Sequence, residues 1–251
     1  MFTSTSTSEL PHSLILGSSP YEISPELGLF AAVTLKSCSV EPLKGECLFR
    51  EVEPDVFMNR WGLDNPGIEV VAASILPQVL AIQPNVILSA FFTKADEVEP
   101  FLKHVPFGQI KALEVNVSCP NRKAFSTRFE VIEAVQRLVA GRVPVGAKLG
   151  PDAVLTAADG LTVDFISYAN TEPGFREDFG LGGISGKPVQ AKVISNLEHL
   201  RARFKGVIVA GGGVKSAEDY KLYKSLGADY VSVASHYLKS KEVAYNILAG
   251  L

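Results

Sequence analysis

Apolar residues recur along this chain in two spacings. Alternating or continuous apolar runs at 13–17, 29–35, 85–91, 112–117, 144–149, 162–169, 206–210 and 230–234 predict strands. Three-and-four spacing at 67–80, 96–103, 127–140, 188–204, 216–226 and 240–249 predicts helices. Within 127–140, Val131, Ile132, Val135, Leu138 and Val139 share one face. Ser216 stands just before Glu218 and Asp219, which reads as a cap with acids in the first turn. Alternation of strand and helix builds a mostly parallel sheet. Eight such strands predict a (β/α)8 TIM barrel of the α/β class, one domain over 13–251, behind a flexible Ser/Thr-rich leader at 1–12. A doubly wound sheet is the alternative. The stretches 21–28 and 151–160 leave little room between strands, so one or two barrel helices are expected to be stunted.

Composition narrows the class. With 251 residues, 47% hydrophobic and 20% charged, the chain can bury a sizeable core. A net charge of −3 argues against nucleic acid or an anionic membrane as partner. Cys38, Cys47 and Cys119 lack Cys-x-x-Cys spacing, which argues against a disulfide framework, zinc or an iron–sulfur cluster. His12, His104, His199 and His236 share no ligand spacing, so no metal site is expected. No segment reads as a signal peptide or a membrane span, and a cytoplasmic protein is the simplest expectation.

Barrels gather their chemistry at the carboxyl ends of the strands. Those ends carry Lys36, Asn116 with Cys119 and Asn121 beyond it, Lys148, Asn170-Thr171, Gly211-Gly212-Gly213 and Ala234-Ser235. A lysine ending an apolar strand needs an anion or a polar partner. The three glycines, set before the helix at 216, let backbone N–H groups approach a phosphate. With Ser232–Ser235 on the next strand they form the usual phosphate position of a barrel. Gly182-Gly-Ile-Ser-Gly186 reads as a second, flexible loop, and Arg176 to Asp178 as a solvated turn.

Several motifs then resemble one family in the same order. Asn116-Val-Ser-Cys-Pro-Asn121, Gly182-Gly-Ile-Ser-Gly186, Gly211-Gly-Gly213 and Asn59-Arg-Trp-Gly-Leu-Asp-Asn-Pro-Gly67 are similar to segments of the dihydroorotate dehydrogenases, flavin-dependent barrels. Thr34-Leu-Lys-Ser37, Ala147-Lys-Leu149 and Asn170-Thr171 match further strand tips of that family.

The resemblance implies oxidation of dihydroorotate to orotate, with FMN taking the hydride and Cys119 as general base. It implies substrate contacts from Asn59, Asn116, Asn121, Asn170 and Thr171. It implies a catalytic place beside flavin and substrate for Lys36. Lys148 would stand near the flavin ring, and Ser18, Ser19, Asn116, Gly183, Gly186, Gly212, Gly213, Ala234 and Ser235 would complete the FMN site. Cys38 and Cys47 read as ordinary packing or surface residues, and His236 as a neighbour of the phosphate loop.

A cysteine base resembles the soluble members, which use fumarate, or NAD through a separate reductase subunit. The missing helical surface implies a homodimer; a stable monomer in sedimentation would oppose that. The short stretch 122–126 puts a working lid in doubt. A dihydrouracil-type flavoenzyme, whose motif ends Ser-Cys-Pro-His, and a non-catalytic FMN or phosphate barrel are the rival readings.

Overall fold

In the computed structural model, which describes residues 12–19, 21–118, 127–152 and 162–251, eight strands close into a barrel. They are β1 (Leu14–Ser19), β2 (Ala32–Leu35), β5 (Val86–Ala90), β6 (Ala112–Asn116), β7 (Val145–Leu149), β8 (Phe165–Tyr168), β11 (Val207–Gly211) and β12 (Tyr230–Val233). Every neighbouring pair is parallel, and the ring closes through β1 and β12. These are the eight predicted strands, differing only at their ends.

Alternation along each strand splits the side chains between two cores. Leu14, Leu16, Val33, Leu35, Leu88, Leu113, Val115, Val145, Ile166, Ile208 and Val231 pack outward, against the helical layer. Ile15, Ala32, Ile87, Ala112, Phe165 and Val209 fill the closed end of the barrel interior. Phe165 spans that interior because position 146 is glycine: a Cβ there would lie 2.4 Å from its ring.

The outer layer comprises α1 (Ile68–Val70) and α2 (Leu76–Leu80), joined by a π-helical turn at Val71–Ile75, then α3 (Val98–Leu102), α4 (Thr127–Val139), α5 (Lys187–Arg203), α6 (Ala217–Ser225), α7 (Ser235–Lys239) and α8 (Glu242–Ala249). The first connection holds only a 3-10 turn, Pro25–Leu29, as the little room at 21–28 led one to expect. Ser216 caps α6 by accepting from the Asp219 N–H at 3.2 Å. The leader at 1–11, the stretch 119–126 and most of the second short connection lie outside the described residues.

One sheet is absent from the sequence reading. β3 (Leu48–Glu53), β4 (Val56–Arg60), β9 (Glu172–Arg176) and β10 (Gly180–Gly186) form an antiparallel sheet in the order β3-β4-β10-β9. The glycine-rich segment expected to be a flexible loop is therefore strand β10. Its two hairpins are insertions after β2 and after β8, both on the carboxyl-end side of the barrel. Glycines in β10, and Pro173 and Gly174 in β9, hide the strand signal.

Asp55, at the tip between β3 and β4, fastens this sheet down. Its carbonyl accepts from the Lys187 N–H at 2.8 Å. Its carboxylate meets Lys215 and, at 3.1 Å, His236 Nε2. Among the described residues no helix is long and apolar enough to cross a membrane.

Candidate functional site

The barrel interior changes character along its axis. Above the apolar layer, the next inward positions are Thr34, Ser89, Glu114, Ser167 and Ser232. The strand tips then present Lys36, Asn116 and Lys148. A cavity of about 210 Å3 opens over them, and its far wall comes from the antiparallel sheet through Asn59, Gly182 and Gly183.

Twelve of the residues singled out from the sequence line this one cavity: Ser18, Lys36, Asn59, Asn116, Lys148, Asn170, Thr171, Gly183, Gly212, Gly213, Ala234 and Ser235. Gly186 does not line it. It precedes α5 with φ +88°, and a Cβ there would lie 2.1 Å from the Asp55 carbonyl oxygen. Its glycine is required by the docking of the β3–β4 tip, which the sequence pattern does not reveal. Ser19 ends β1 and pairs with Leu35; its side chain lies outside the described residues. Cys119 and Asn121 lie outside them too. Cys38 is buried, and burial pushes its thiol up to about 12. Cys47 is exposed.

The amides are held by one another. The Thr171 N–H donates to Asn170 Oδ1 at 2.9 Å, and Asn170 Nδ2 donates to Asn116 Oδ1 at 3.3 Å. Asn170 Nδ2 also donates to Ser118 Oγ at 2.9 Å, and the Ser118 N–H donates to Asn116 Oδ1 at 3.3 Å. Asn59 Nδ2 donates across the sheet to the Gly183 carbonyl at 3.2 Å. Thr171 approaches Gly183 so closely that a Cβ there would lie 2.5 Å from Thr171 Oγ1.

Lys36, Lys148 and Arg60 bring positive charge to this mouth. Lys36 Nζ lies 4.7 Å from the centre of the Trp61 ring. Burial pushes the Lys36 ammonium below the ordinary lysine value, while the charges of Asp64 and Cys47 oppose that shift. The Trp61 loop is clipped by Asn65, whose Oδ1 accepts from the Gly67 N–H at 2.9 Å and whose Nδ2 donates to the Leu63 carbonyl at 2.7 Å. Lys148 sits beside Asn116 and Ser167 in register on β7.

The opposite end of the cavity is a cradle of backbone. Gly212 and Gly213 have φ of +104° and +75°, a region that favours glycine. Gly17 approaches β12 so nearly that a Cβ there would lie 3.3 Å from the Val233 carbonyl oxygen. Ser185 and Ser235 hydroxyls share a hydrogen bond of 2.7 Å beside it. Small residues, hydroxyls and exposed N–H groups suit an anionic group such as a phosphate. Cations and amides at the other end suit a flat, polar, anionic ring.

Ser37, Ser89 and Glu114 belong to the site floor, yet sequence reasoning passed over them. The signal was present: β5 and β6 carry Ser89 and Glu114 at inward positions of otherwise apolar strands, and Ser37 stands just past β2. Without the barrel nothing says which polar residues face one another.

Fold and site together define a (β/α)8 barrel protein with a polar, cation-bearing ligand cavity at the carboxyl ends of its strands. The chain belongs to the dihydroorotate dehydrogenase family, whose family model, described as dihydroorotate dehydrogenase, matches residues 19–251. It is 29% identical over 248 residues to the catalytic subunit of dihydroorotate dehydrogenase B (NAD(+)) of Anoxybacillus flavithermus, covering 90% of this chain and 80% of that one. It is 30% identical over 253 residues to dihydroorotate dehydrogenase A (fumarate) of Lacticaseibacillus paracasei, covering 90% and 86%. Relatives named for two different acceptors thus match about equally well. In fold it resembles a ligand-free DHODH structure from Eimeria tenella, with a TM-score of 0.80 at 17% identity over 95% of this chain and 83% of that one.

Proposed function

We propose that this protein oxidises dihydroorotate to orotate, with FMN as its resident cofactor and Cys119 as the general base. The observation that carries this reading is convergence. Lys36, Asn59, Asn116, Lys148, Asn170 and Thr171 come from five separate stretches of chain and line one cavity.

The cavity fits FMN in its donor set. Gly17, Gly212, Gly213 and Ala234 leave backbone and small atoms where a phosphate needs close approach, and Ser18 and Ser235 add hydroxyls. Lys36 and Lys148 supply positive charge at the ring end. When bound, FMN supplies a two-electron acceptor for the hydride that leaves C6 of the substrate.

The chain supplies the remaining functions. Asn59, Asn116, Asn121 and Asn170 offer donors and acceptors together, which matches a ring of alternating C=O and N–H groups. Thr171 adds a hydroxyl to the same wall. The Cys119 thiolate takes the proton from C5. Lys36 and Lys148 hold negative charge in place and favour that thiolate through their fields.

Purified protein mixed anaerobically with dihydroorotate tests this. Bleaching of a bound yellow flavin by dihydroorotate is the expected result, followed by reoxidation with fumarate or NAD+ as separate arms. No bleaching by dihydroorotate, or bleaching by dihydrouracil alone, overturns it.

A further inference from the structure

A buried carboxylate lies beneath the site with no assigned part in it. Glu114 is 1% exposed, on the inward face of β6, two residues below Asn116. Ser89 Oγ donates to its Oε1 at 2.7 Å. Ser89 and Ser37 hydroxyls are 2.8 Å apart, and Asn116 Nδ2 donates to Ser37 Oγ at 3.0 Å. Ser37 and Ser89 are 2% and 0% exposed, so no bulk water substitutes for these partners.

The proton directions in this chain follow from chemistry. Ser89 Oγ donates to Glu114 Oε1, so the single Ser89 hydroxyl proton points at Glu114. Ser89 Oγ must then accept from Ser37, and Ser37 Oγ from the Asn116 amide. At the other end the Thr171 N–H, a fixed donor, sets Asn170 with its Oδ1 inward and its Nδ2 toward Asn116. Five hydrogen bonds in series therefore point one way, from the Thr171 backbone to the Glu114 carboxylate. They pass through both amides and link residues of β5 and β6, and Ser37 just past β2, to the tip of β8.

We propose that Glu114 is a positioning residue: through Ser89 and Ser37 it fixes which atom of the Asn116 amide faces the ligand and strengthens that amide as an acceptor. The proposal rests on the dihydroorotate reading above for the identity of the ligand. A carboxylate terminus polarises every bond behind it, because aligned hydrogen bonds reinforce one another at low dielectric. A neutral terminus that both donates and accepts would let the chain run in either direction, and Asn116 would then present a mixture of donor and acceptor.

The test uses the FMN-loaded protein and orotate, read without turnover. Orotate affinity comes from the perturbation of the oxidised flavin spectrum. FMN affinity comes from fluorescence quenching, and integrity from the thermal midpoint. Glu114→Gln and Ser89→Ala are each expected to weaken orotate binding by about 10-fold or more, the effect of a lost charge-assisted hydrogen bond. FMN affinity is expected to stay within about 3-fold, since Gly17, Gly212, Gly213, Ala234 and both lysines, which would carry most of its contacts, are unchanged.

The double variant is expected to lose no more than the worse single, because both changes cut one chain. Ser89→Thr, which keeps the hydroxyl, is expected to restore binding to within about 3-fold. Ser37→Ala cuts the chain while leaving Glu114 paired with Ser89, and stands in if either other variant fails to fold. Losses that multiply, losses under about 3-fold, or parallel falls in FMN affinity and thermal midpoint overturn the proposal alone. A wild-type protein that binds FMN but not orotate overturns the substrate reading and this proposal with it.

Discussion

Asn116 shows how a single amide acquires a role here. Its Oδ1 receives the Asn170 amide and the Ser118 N–H, and its Nδ2 is spent on Ser37, so neither half of the group is free to turn. An asparagine alone at a strand tip caps turns as readily as it binds ligands. It becomes a recognition group because its neighbours fix its orientation. Cys119 follows Ser118, which is tied to both Asn116 and Asn170. Replacing that thiol tests the residue most directly. Cys119→Ala is expected to keep bound flavin while its reduction by dihydroorotate slows by about 100-fold or more near neutral pH, as loss of a general base requires. Rapid-mixing absorbance checks this, and undiminished reduction removes Cys119 from the base role. Lys36 belongs to the same scale. Its ammonium is half-desolvated against Trp61, a placement that the strand-end position implied and that the Asn65-clipped loop completes.

At the scale of elements, the antiparallel sheet decides the shape of the mouth. Its four strands come from two insertions far apart in the chain, and they supply Asn59 and Gly183 to the cavity wall. Sequence periodicity could not reveal it. A strand with both faces partly exposed shows no alternation, and β9 and β10 carry the proline and glycines that usually mark loops. The sheet is held by Asp55, whose carboxyl sits below the ordinary aspartate value of 3.8, chiefly through Lys215 and then through His236. A lowered carboxyl pKa adds stability above the unfolded value, and that stability is lost as pH falls through the folded value. Asp55→Asn is therefore expected to destabilise the protein modestly near neutral pH, by about 1 kcal/mol or less for a partly exposed pair. It should also flatten the loss of stability on acidification below about pH 4. Denaturant titrations of both proteins across that range check the sign; an equally steep acid limb counts against the clamp.

For the whole molecule, the barrel is both scaffold and gradient. Its closed end is apolar and its mouth is polar, and the change occurs over two layers of inward side chains. Phe165 plugs the closed end only because Gly146 leaves room for its ring. Gly146→Ala is expected to overpack the interior and cost about 1–3 kcal/mol. Equilibrium unfolding measures this, and an unchanged midpoint would mean that the ring moves freely aside. A rigid floor is what lets loops and insertions at the other end be arranged for chemistry.

The chain by itself determined the barrel, because period-two and near-four spacings are local and survive in any fold that buries them. It also marked the strand-tip lysines, amides and glycines, since polar residues ending apolar strands have few explanations. Only the tertiary structure decided that Gly186 serves a hairpin dock and not the cavity, and that Asp55 pairs with His236 across 181 positions of chain. It alone joined Glu114 to Thr171 through residues of four strands and their tips. Those facts depend on which side chains meet across a closed ring, and local spacing carries no information about distant partners.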